Sequence, residues 1–333
     1  MNDLISVVTG FYNRGNLVKT SISSLLKQTY SNIEIIIFDD CSTDHTYEEL
    51  LKFQDPRLKI IHHPINIGFI NGLIDAVNRA SGEYLAIHGS GDISYPERLE
   101  KQYQLLKANG ELGAVGCNVL DYEMLADGSI YKYVRKCEAY KATFSDLING
   151  NNCFTHGEVM IRRKHYDQIG GYRRAFYYSQ DRDLWLRLLE ISKFGVVDEV
   201  LYKRVFISNS IRFNLDKILI QRKYSELARQ CAEMRESHQP DLVDIYGLHA
   251  LGFLNRSRRL SDFYYQKFLE HMTRNPDFST RCLNLSVNEL FRPSRLVLSF
   301  LVNRLGVRKY HRIYSFWCHI KSLPKRLFQT IKP

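Results

Sequence analysis

The sequence predicts an α/β fold in which a doubly wound, mixed and mainly parallel sheet is flanked by helices, with a helical appendage at the C-terminus. Three observations lead to this fold class. Strand-like and helical patterns alternate four times within the first ninety residues. The strand-like runs are apolar without alternation, which is typical of strands buried on both faces of a sheet. Beyond about residue 214 the apolar pattern is helical throughout.

The elements follow from these patterns and from the turn residues between them. Strands are predicted at 4–8, 33–38, 58–62 and 83–87, with helices at 16–28, 43–53 and 66–79 between them. Pro96 starts a helix at 97–108, since proline fits the first turn of a helix. Strands at 114–120 and 157–162, helices at 164–169 and 179–189, and a strand pair within 196–206 complete the prediction. The expected domains are residues 1–213 and residues 214–333.

Charge divides the chain at about the same place. Net charge is +10 over 333 residues, but residues 1–200 carry 22 Lys+Arg against 26 Asp+Glu, and residues 201–333 carry 24 against 10. The seven cysteines are scattered, with no Cys-x-x-Cys pair, which argues against a zinc ribbon or a disulfide scaffold and favours a reducing compartment. No apolar run approaches the roughly 20 residues that span a bilayer. These observations predict a cytoplasmic protein.

Two adjacent carboxylates end the second predicted strand. Asp39 and Asp40 follow the apolar run that starts at Ile33. In parallel sheets, ligands bind beyond the carboxyl ends of the strands. Two neighbouring strand-end acids repel each other unless a bound group neutralises or shares their charge. The pair therefore indicates a ligand site at this edge of the sheet.

Four segments in order make the chain resemble the family 2 glycosyltransferases, which have the A-type nucleotide-diphospho-sugar transferase fold. The resemblance extends from Ile5 to about Val205. The segments are Val7-Val8-Thr9-Gly10-Phe11-Tyr12-Asn13-Arg14, then Glu34 to Asp44, then Gly82-Glu83-Tyr84 with the strand leading to Asp92, and last Gly170-Gly171-Tyr172 with Gln180-Asp181-Arg182-Asp183-Leu184-Trp185-Leu186-Arg187. Each is weak alone, and together they identify the family.

The resemblance implies where the nucleotide of a sugar donor binds. Thr9 and Tyr12 match the positions beside the base, and Asp39 matches the acceptor for the imide N–H of uracil or thymine. An ionised carboxylate only accepts hydrogen bonds, so it suits a base that presents a donor. The alternative for Asp39 is a helix-capping acid. Asp40 is expected to have a structural role, and Asp44 to be an N-cap.

The fourth strand end departs from the family pattern. The family has an acidic cluster where this chain has Gly89, Ser90, Gly91 and Asp92. The resemblance implies that Asp92 binds Mn²⁺ or Mg²⁺ at the donor diphosphate, and one carboxylate is sufficient when phosphates supply other ligands. Gly91 brings backbone close to the phosphates. His88 is a candidate donor contact or a packed strand residue. Loss of the other acids leaves a catalytically impaired, sugar-nucleotide-binding protein as an alternative.

Asp181 matches the family's general base. A base is needed because the acceptor hydroxyl loses its proton as it attacks the anomeric carbon opposite the leaving diphosphate. The alternative is a plain acid at a helix start. His156 and Asp183 match positions on the acceptor side, although a structural histidine is an equal alternative, and Arg187 is spaced to pair with Asp183.

The C-terminal region predicts a cationic amphipathic helix. Residues 281–333 contain 11 Lys+Arg and one acid. Within 308–321 one helical arc is apolar and aromatic, made of Tyr310, Ile313, Tyr314, Phe316, Trp317 and Ile320. This pattern is typical of a helix that lies on an anionic membrane surface, and packing against the catalytic domain is an equal alternative.

These features together predict an inverting glycosyltransferase that uses a UDP- or dTDP-sugar and a saccharide or lipid-linked acceptor in cell-surface polysaccharide synthesis. It would be cytoplasmic and peripheral to the inner face of the membrane. A nucleotidyltransferase is a weaker alternative, because its basic pyrophosphate loop would lie at 10–15, where Arg14 is the sole cation. A nucleic-acid partner is not expected, since it would explain the charge and not the four segments.

Overall fold

The structure is a computed structural model that describes residues 3–124, 129–137, 142–152, 154–206, 214–307 and 309. The chain forms two compact units. The first unit contains the residues up to 214 together with 227–253, and the second contains 215–226 and the residues from 254 onward. The predicted domains differ from these units in one respect, because residues 227–253 belong with the N-terminal unit.

The strands of the first unit form one sheet. They are β1 (Ile5–Phe11), β2 (Ile33–Asp39), β3 (Leu58–His62), β4 (Tyr84–Ile87), β5 (Ile93–Ser94), β6 (Leu112–Met124), β7 (Ile130–Arg135), β8 (Met160–Arg162) and β9 (Lys193–Phe206). Their order is β3-β2-β1-β4-β8-β6-β9-β5, with β7 on β6. The first four strands in that order are parallel, whereas β8 is antiparallel to both of its neighbours. The predicted mixed, mainly parallel α/β sheet is confirmed.

Helices connect the strands and continue beyond them. They are α1 (Gly15–Leu26), α2 (Thr46–Leu51), α3 (Phe69–Asn78), α4 (Arg98–Ala108), α5 (Phe144–Ile148), α6 (Arg163–Gln168), α7 (Gln180–Leu189), α8 (Leu215–Glu236), α9 (Leu242–Tyr246) with a 3-10 helix at Gly247–Phe253, α10 (Arg258–His271), α11 (Pro276–Glu289) and α12 (Pro293–Leu305). The predicted C-terminal helical region is confirmed as far as the structure describes it. The segment 308–321 lies outside the described residues except for Lys309.

The core of the first unit explains why the strand-like runs do not alternate. Every residue of β1 and β2 is buried. Helices cover the sheet, and Val18, Ile22 and Leu25 of α1 pack into the same cluster as the β1 and β2 side chains. Strands of this kind have no face that accepts polar residues, so the sequence reads as a continuous apolar run.

The segment 196–206 differs from its prediction as a strand pair. It lies within the single strand β9, which pairs along β6 with register shifts near Asn118. Asn118 Nδ2 donates to Asp198 Oδ1 at 2.8 Å. The irregular pairing accommodates the polar Asp198-Glu199 step without reversing the chain. The predicted turn at Asp127-Gly128 lies outside the described residues, although the flanking strands β6 and β7 are antiparallel.

Two further expectations concern cysteines and membrane spans. Cys41, Cys117, Cys231 and Cys282 are free thiols, as predicted for a reduced protein, whereas Cys137 is disulfide-bonded. Among the helices that the structure describes, none combines the length and apolar character needed to cross a bilayer.

Candidate active site

The carboxyl ends of β1, β2 and β4 place the predicted nucleotide residues at one edge of the sheet. Phe11 of β1 is in register with Asp39 of β2, and Val8 of β1 is in register with Ile87 of β4. Thr9 therefore lies between the end of β2 and the loop that follows β4. This edge is where an α/β sheet binds its ligands.

Asp39 is fully buried and already holds two local partners. Ser42 donates to it through both its backbone N–H and its hydroxyl, and His62 Nδ1 lies 3.0 Å from Asp39 Oδ2. These contacts fix the orientation of the carboxylate. A carboxylate has about four lone-pair sites, so capacity remains for an N–H of a base.

Of the neighbouring acids, Asp40 has the structural role expected for it, whereas Asp44 is not the predicted N-cap. Asp40 accepts hydrogen bonds from the N–H groups of Ile67 and Gly68, at 2.8 and 2.9 Å, and so fixes the start of α3. Asp44 accepts from the N–H of Thr46 at 2.9 Å and from that of Gly15 at 3.2 Å. The N-cap of α2 is His45 rather than Asp44, so Asp44 satisfies the helix from one residue earlier.

Thr9 and Tyr12 differ in their exposure. Thr9 is buried, and its Oγ1 has no hydrogen-bond partner among the described residues. A buried hydroxyl without a partner is costly, and a ligand or a water molecule could supply the partner of Thr9. Tyr12 is 48% exposed, so its ring is available for stacking.

The loop after β4 is built around Asp92. Asp92 Oδ1 accepts from the N–H of Val205 at 2.8 Å, and Oδ2 accepts from the hydroxyl of Tyr202 at 2.8 Å. The N–H of Gly89 donates to the same hydroxyl at 2.7 Å. Burial raises the pKa of Asp92 to about 6, against the opposing hydrogen bonds from β9. The carboxylate is therefore held in place and poorly solvated, which favours a cationic partner.

Both glycines of this loop are required by its shape. A Cβ at Gly89 would lie 2.1 Å from Asp92 Oδ2. Gly91 has φ +91°, and a Cβ there would lie 2.5 Å from Leu17 Cδ1. A side chain at position 89 or 91 would overlap Asp92 or Leu17. The acids of the family pattern are therefore incompatible with the conformation of this loop.

Replacing Gly91 by Ala is expected to lower the free energy of unfolding by about 1–3 kcal/mol, because a residue with a Cβ is strained at this φ and also overlaps Leu17. Gly110→Ala is the matched control, because no atom lies near its Cβ position and its backbone does not require glycine. Thermal or urea unfolding measures both variants. Equal stability of the two would contradict the tight packing described for the loop.

His88 is packed rather than directed at a ligand. Its Nε2 lies 2.9 Å from Ser21 Oγ and its Nδ1 lies 3.1 Å from Ser94 Oγ. Burial, assisted by the charge of Arg98, lowers its pKa to about 3, so the ring is neutral. Both ring nitrogens are used inside the protein. The geometry supports the packed-residue alternative over a donor contact.

Arg14 lies beside the candidate site, although no role was predicted for it from the sequence. It precedes α1, and its Nη1 donates to the carbonyl oxygen of Ser90 at 3.2 Å, which places the guanidinium beside the Gly89–Asp92 loop. Burial lowers its pKa and the nearby Asp92 opposes that effect. Its position within the first family segment could have indicated a role in the site. Its proximity to the end of β4 is evident only from the fold.

Asp181 lies in the first turn of α7, as predicted, and is partly exposed. Its Oδ1 accepts from the N–H of Arg182 at 2.8 Å. His156 and Tyr172 are close enough for its charge to act on their pKa values, and His156 Nε2 lies 2.7 Å from Tyr172 Oη. Burial lowers the pKa of His156, so the imidazole is neutral beside this carboxylate.

The segment after His156 connects Asp181 with the loop of Asp92. A Cβ at Gly157 would lie 2.9 Å from the backbone nitrogen of Gly89 and 2.3 Å from Tyr202 Oη. Residues 156 and 157 therefore lie between the two halves of the predicted site, with Gly157 beside the Gly89 backbone and His156 within electrostatic reach of Asp181.

Asp183 has a different position from the one predicted on the acceptor side. It is 1% exposed and is bound by two arginines: Arg187 Nη2 lies 2.7 Å from Oδ2, and Arg173 Nε lies 3.1 Å from the same oxygen. Arg173 also binds Asp241, with Nη1 2.7 Å from Oδ2. Burial would raise the pKa of Asp183, but the two guanidinium groups outweigh it and hold the pKa low. The predicted Arg187 pair is present, and the carboxylate is unavailable to an acceptor.

The donor set at Asp92 fits a cation only in a limited way. Among the described residues no group of three or more His, Cys, Asp and Glu side chains could enclose a metal ion. A hard divalent cation such as Mg²⁺ needs few protein ligands when phosphate oxygens and waters complete its shell. The residues therefore fit a cation that arrives with a diphosphate, with Asp92 as its protein ligand.

The order and direction of the strands are those of the A-type glycosyltransferase fold. Residues 6–170 match the model of the family "Glycosyl transferase family 2". EpsE, a glycosyltransferase-family protein of Bacillus subtilis (strain 168), is 30% identical over 228 residues, which cover 65% of this chain and 80% of EpsE. The chain belongs to glycosyltransferase family 2.

Further relatives and solved structures agree with this assignment. WfgD of Escherichia coli is named as a UDP-Glc:α-D-GlcNAc-diphosphoundecaprenol β-1,3-glucosyltransferase. It is 29% identical to this chain, and the alignment covers 74% of this chain and 90% of WfgD. The crystal structure of S. aureus TarS 1–349 with UDP has a TM-score of 0.57 at 17% identity, covering 95% of this chain and 91% of TarS 1–349. Mannosyltransferase PcManGT from Pyrobaculum calidifontis with GDP-Man and Mn²⁺ has a TM-score of 0.52 at 15% identity, covering 98% and 88%. These structures support the fold.

Proposed function

We propose that this chain is an inverting glycosyltransferase that moves a sugar from a UDP- or dTDP-sugar to a hydroxyl of a saccharide or lipid-linked acceptor. The observation that carries the proposal is the connection, through residues 156 and 157, between the sheet edge holding Asp39 and Asp92 and the start of α7 holding Asp181. An inverting transfer needs these two halves on opposite sides of the anomeric carbon. The acceptor class rests on WfgD, whose name specifies a diphosphoundecaprenol-linked sugar.

The donor would lie along the edge formed by β1, β2 and β4. Asp39 accepts the imide N–H of uracil or thymine, Tyr12 offers an exposed ring to the base, and the Thr9 hydroxyl gains the partner that it lacks among the described residues. Gly91 lets the backbone approach the diphosphate without a side chain between them. Asp92 would hold Mn²⁺ or Mg²⁺, and such a cation stabilises the negative charge that develops on the leaving diphosphate.

Asp181 acts as the general base in this proposal. It is partly exposed and makes one hydrogen bond with the adjacent backbone, so its second oxygen can accept the proton of an acceptor hydroxyl. His156 is held neutral by burial and bonded to Tyr172, which suits it to orient an acceptor rather than to carry charge. Polysaccharide synthesis at the cytoplasmic face of the membrane is the setting in which such acceptors are found.

The alternative is a sugar-nucleotide-binding protein without turnover, and the glycines at 89 and 91 favour it. A single experiment separates the two. Release of UDP from UDP-sugars is measured with Mn²⁺ and an undecaprenol-diphosphate-linked saccharide. Turnover with any donor supports the enzyme, whereas nucleotide binding without turnover supports the binding protein.

Asp39 gives a prediction about the base. UDP and dTDP are expected to raise the melting temperature, while CDP has little effect, because cytosine lacks the imide N–H that a carboxylate accepts. Asp39→Asn is expected to weaken UDP binding by about tenfold, since a hydrogen bond to a charged acceptor contributes about 1.5–3 kcal/mol. Thermal-shift titration measures both effects, and Asp55→Asn is the control, because Asp55 precedes β3 and is paired with Arg57. An unchanged UDP affinity in Asp39→Asn would remove Asp39 from the nucleotide site.

A further inference from the structure

We propose that α12 of the second unit carries a surface that binds anionic lipid bilayers. The helix has two different faces. Its inner face is buried, with Leu298 and Val302 in the apolar cluster that α10 and α11 also line. Its outer face is also apolar, with exposed fractions of 58% for Val297 and 60% for Phe300. An outer face of this kind is unusual for a helix at a protein surface.

The exposed side chains form one continuous stripe. They are Leu296, Val297, Phe300, Leu301 and Leu305, and Phe291, exposed by 63%, lies just before the helix. Their spacing of one, three and four residues places them on a single arc. By contrast, α10 and α11 expose no large apolar side chain in the part of the unit that the structure describes. The stripe is therefore a local property of α12.

The sequence from the stripe onward is rich in cations, although Arg292 and Arg295 at the start of α12 pair with Asp262. Residues 290–333 contain ten Lys and Arg and no Asp or Glu. Arg304 is exposed on α12 itself, with its guanidinium 6.0 Å from the centre of the Phe300 ring, and Lys309 is exposed just beyond the helix. An apolar stripe flanked by cations is the pattern of a helix that lies in the plane of a membrane interface.

The positive charge indicates which kind of partner binds the apolar face of α12. A second copy of the chain would bring two strongly basic segments together, and like charges disfavour that contact. An anionic bilayer offers both the apolar medium for Phe300 and Val297 and the negative surface for the basic residues. The proposal concerns attachment and stands independently of the reaction, although a lipid-linked acceptor would be reached from such a surface.

Co-sedimentation of the full chain with vesicles tests the proposal. The chain is expected to bind vesicles of about 30% phosphatidylglycerol in phosphatidylcholine and not to bind vesicles of phosphatidylcholine alone. Binding should weaken as the salt concentration is raised. The double variant Val297→Ser with Phe300→Ser is expected to lower the vesicle partition coefficient at least tenfold. Both side chains are exposed, so the fold should be retained, and the melting temperature checks it. Leu248→Ser is the matched control, because Leu248 is 67% exposed in the first unit.

A chain ending at Lys309 distinguishes α12 from the segment after it. Vesicle binding that persists in this truncation and falls in the double variant supports the proposal. Binding lost on truncation and unchanged in the double variant would overturn it, placing the lipid contact after residue 309. Sedimentation velocity tests whether a second copy of the chain binds this face instead. The proposal would also be overturned if the wild-type chain formed a dimer and did not bind vesicles, and if the double variant were monomeric. Nucleotide thermal shifts are expected to be unchanged in every variant, so a failure here is separate from a failure of the proposed reaction.

Discussion

Replacing Asp181 by Asn is expected to lower kcat for sugar transfer by about 100- to 10,000-fold, the range that a positioned general base contributes. The amide keeps the size and the hydrogen bond to the N–H of Arg182, but it cannot accept the proton of the acceptor hydroxyl. In the proposed arrangement the nucleotide lies at the sheet edge, so UDP affinity should remain within about twofold. Initial rates with saturating donor, together with titration of UDP, measure the two quantities.

The matched control is Asp167→Asn. Asp167 is also on a short helix and its side chain is 55% exposed, paired with Arg163. This variant should keep both kcat and UDP affinity. Two results would count against Asp181 as the base: a transfer rate near that of the wild type, or a fall in UDP affinity that matches the fall in rate. The second result would place Asp181 in the donor site.

The sheet and the positions of its strand ends could be predicted from sequence because their signals are local. A buried parallel strand reads as an apolar run, and Asp39 stands directly where such a run ends. The same reasoning separated Asp39 from Asp40, whose bonds to Ile67 and Gly68 show its structural role. Strand ends in a parallel sheet converge whatever the loops between them do, so Thr9 and Asp92 could be placed near each other without a structure.

What the sequence could not show depends on contacts between distant segments. Tyr202 and Val205, which hold the Asp92 carboxylate, lie more than a hundred residues after it. Arg14 reaches the carbonyl of Ser90 across seventy-six positions. Neither contact appears as a hydrophobic periodicity in the sequence, because each involves a single side chain. A single polar side chain at a strand end can serve packing or chemistry, and the sequence does not distinguish the two. His88 illustrates the same limit, since its serine partners come from α1 and β5.

The Gly89–Asp92 loop changes how the family's chemistry would be arranged in this chain. An acidic cluster concentrates negative charge around a metal ion, whereas here one carboxylate stands with the Arg14 guanidinium beside its loop. A guanidinium can bind phosphate oxygens through two parallel N–H donors. Part of the charge on the leaving diphosphate can then be balanced by the protein, which makes a site with one carboxylate compatible with transfer.

Replacing Asp183 by Asn is expected to lower the free energy of unfolding by about 3–5 kcal/mol, because it leaves two buried guanidinium groups without their shared carboxylate. Arg187 and Arg173 both bind Asp183, and Arg173 continues the network to Asp241. The same pair spacing at an exposed site contributes far less, so Asp167→Asn, which breaks the Arg163 pair, should change stability by less than about 0.5 kcal/mol. Urea unfolding at neutral pH measures both.

The pH dependence of this difference follows from the low pKa of Asp183. Because the folded-state pKa lies below the ordinary value of about 3.9, the contribution of Asp183 to stability is complete above that value and disappears as the pH falls through the folded-state pKa. Wild type and Asp183→Asn should therefore differ most at neutral pH and converge in acid. An Asp183→Asn variant with wild-type stability and a raised acceptor KM would instead restore Asp183 to the acceptor side.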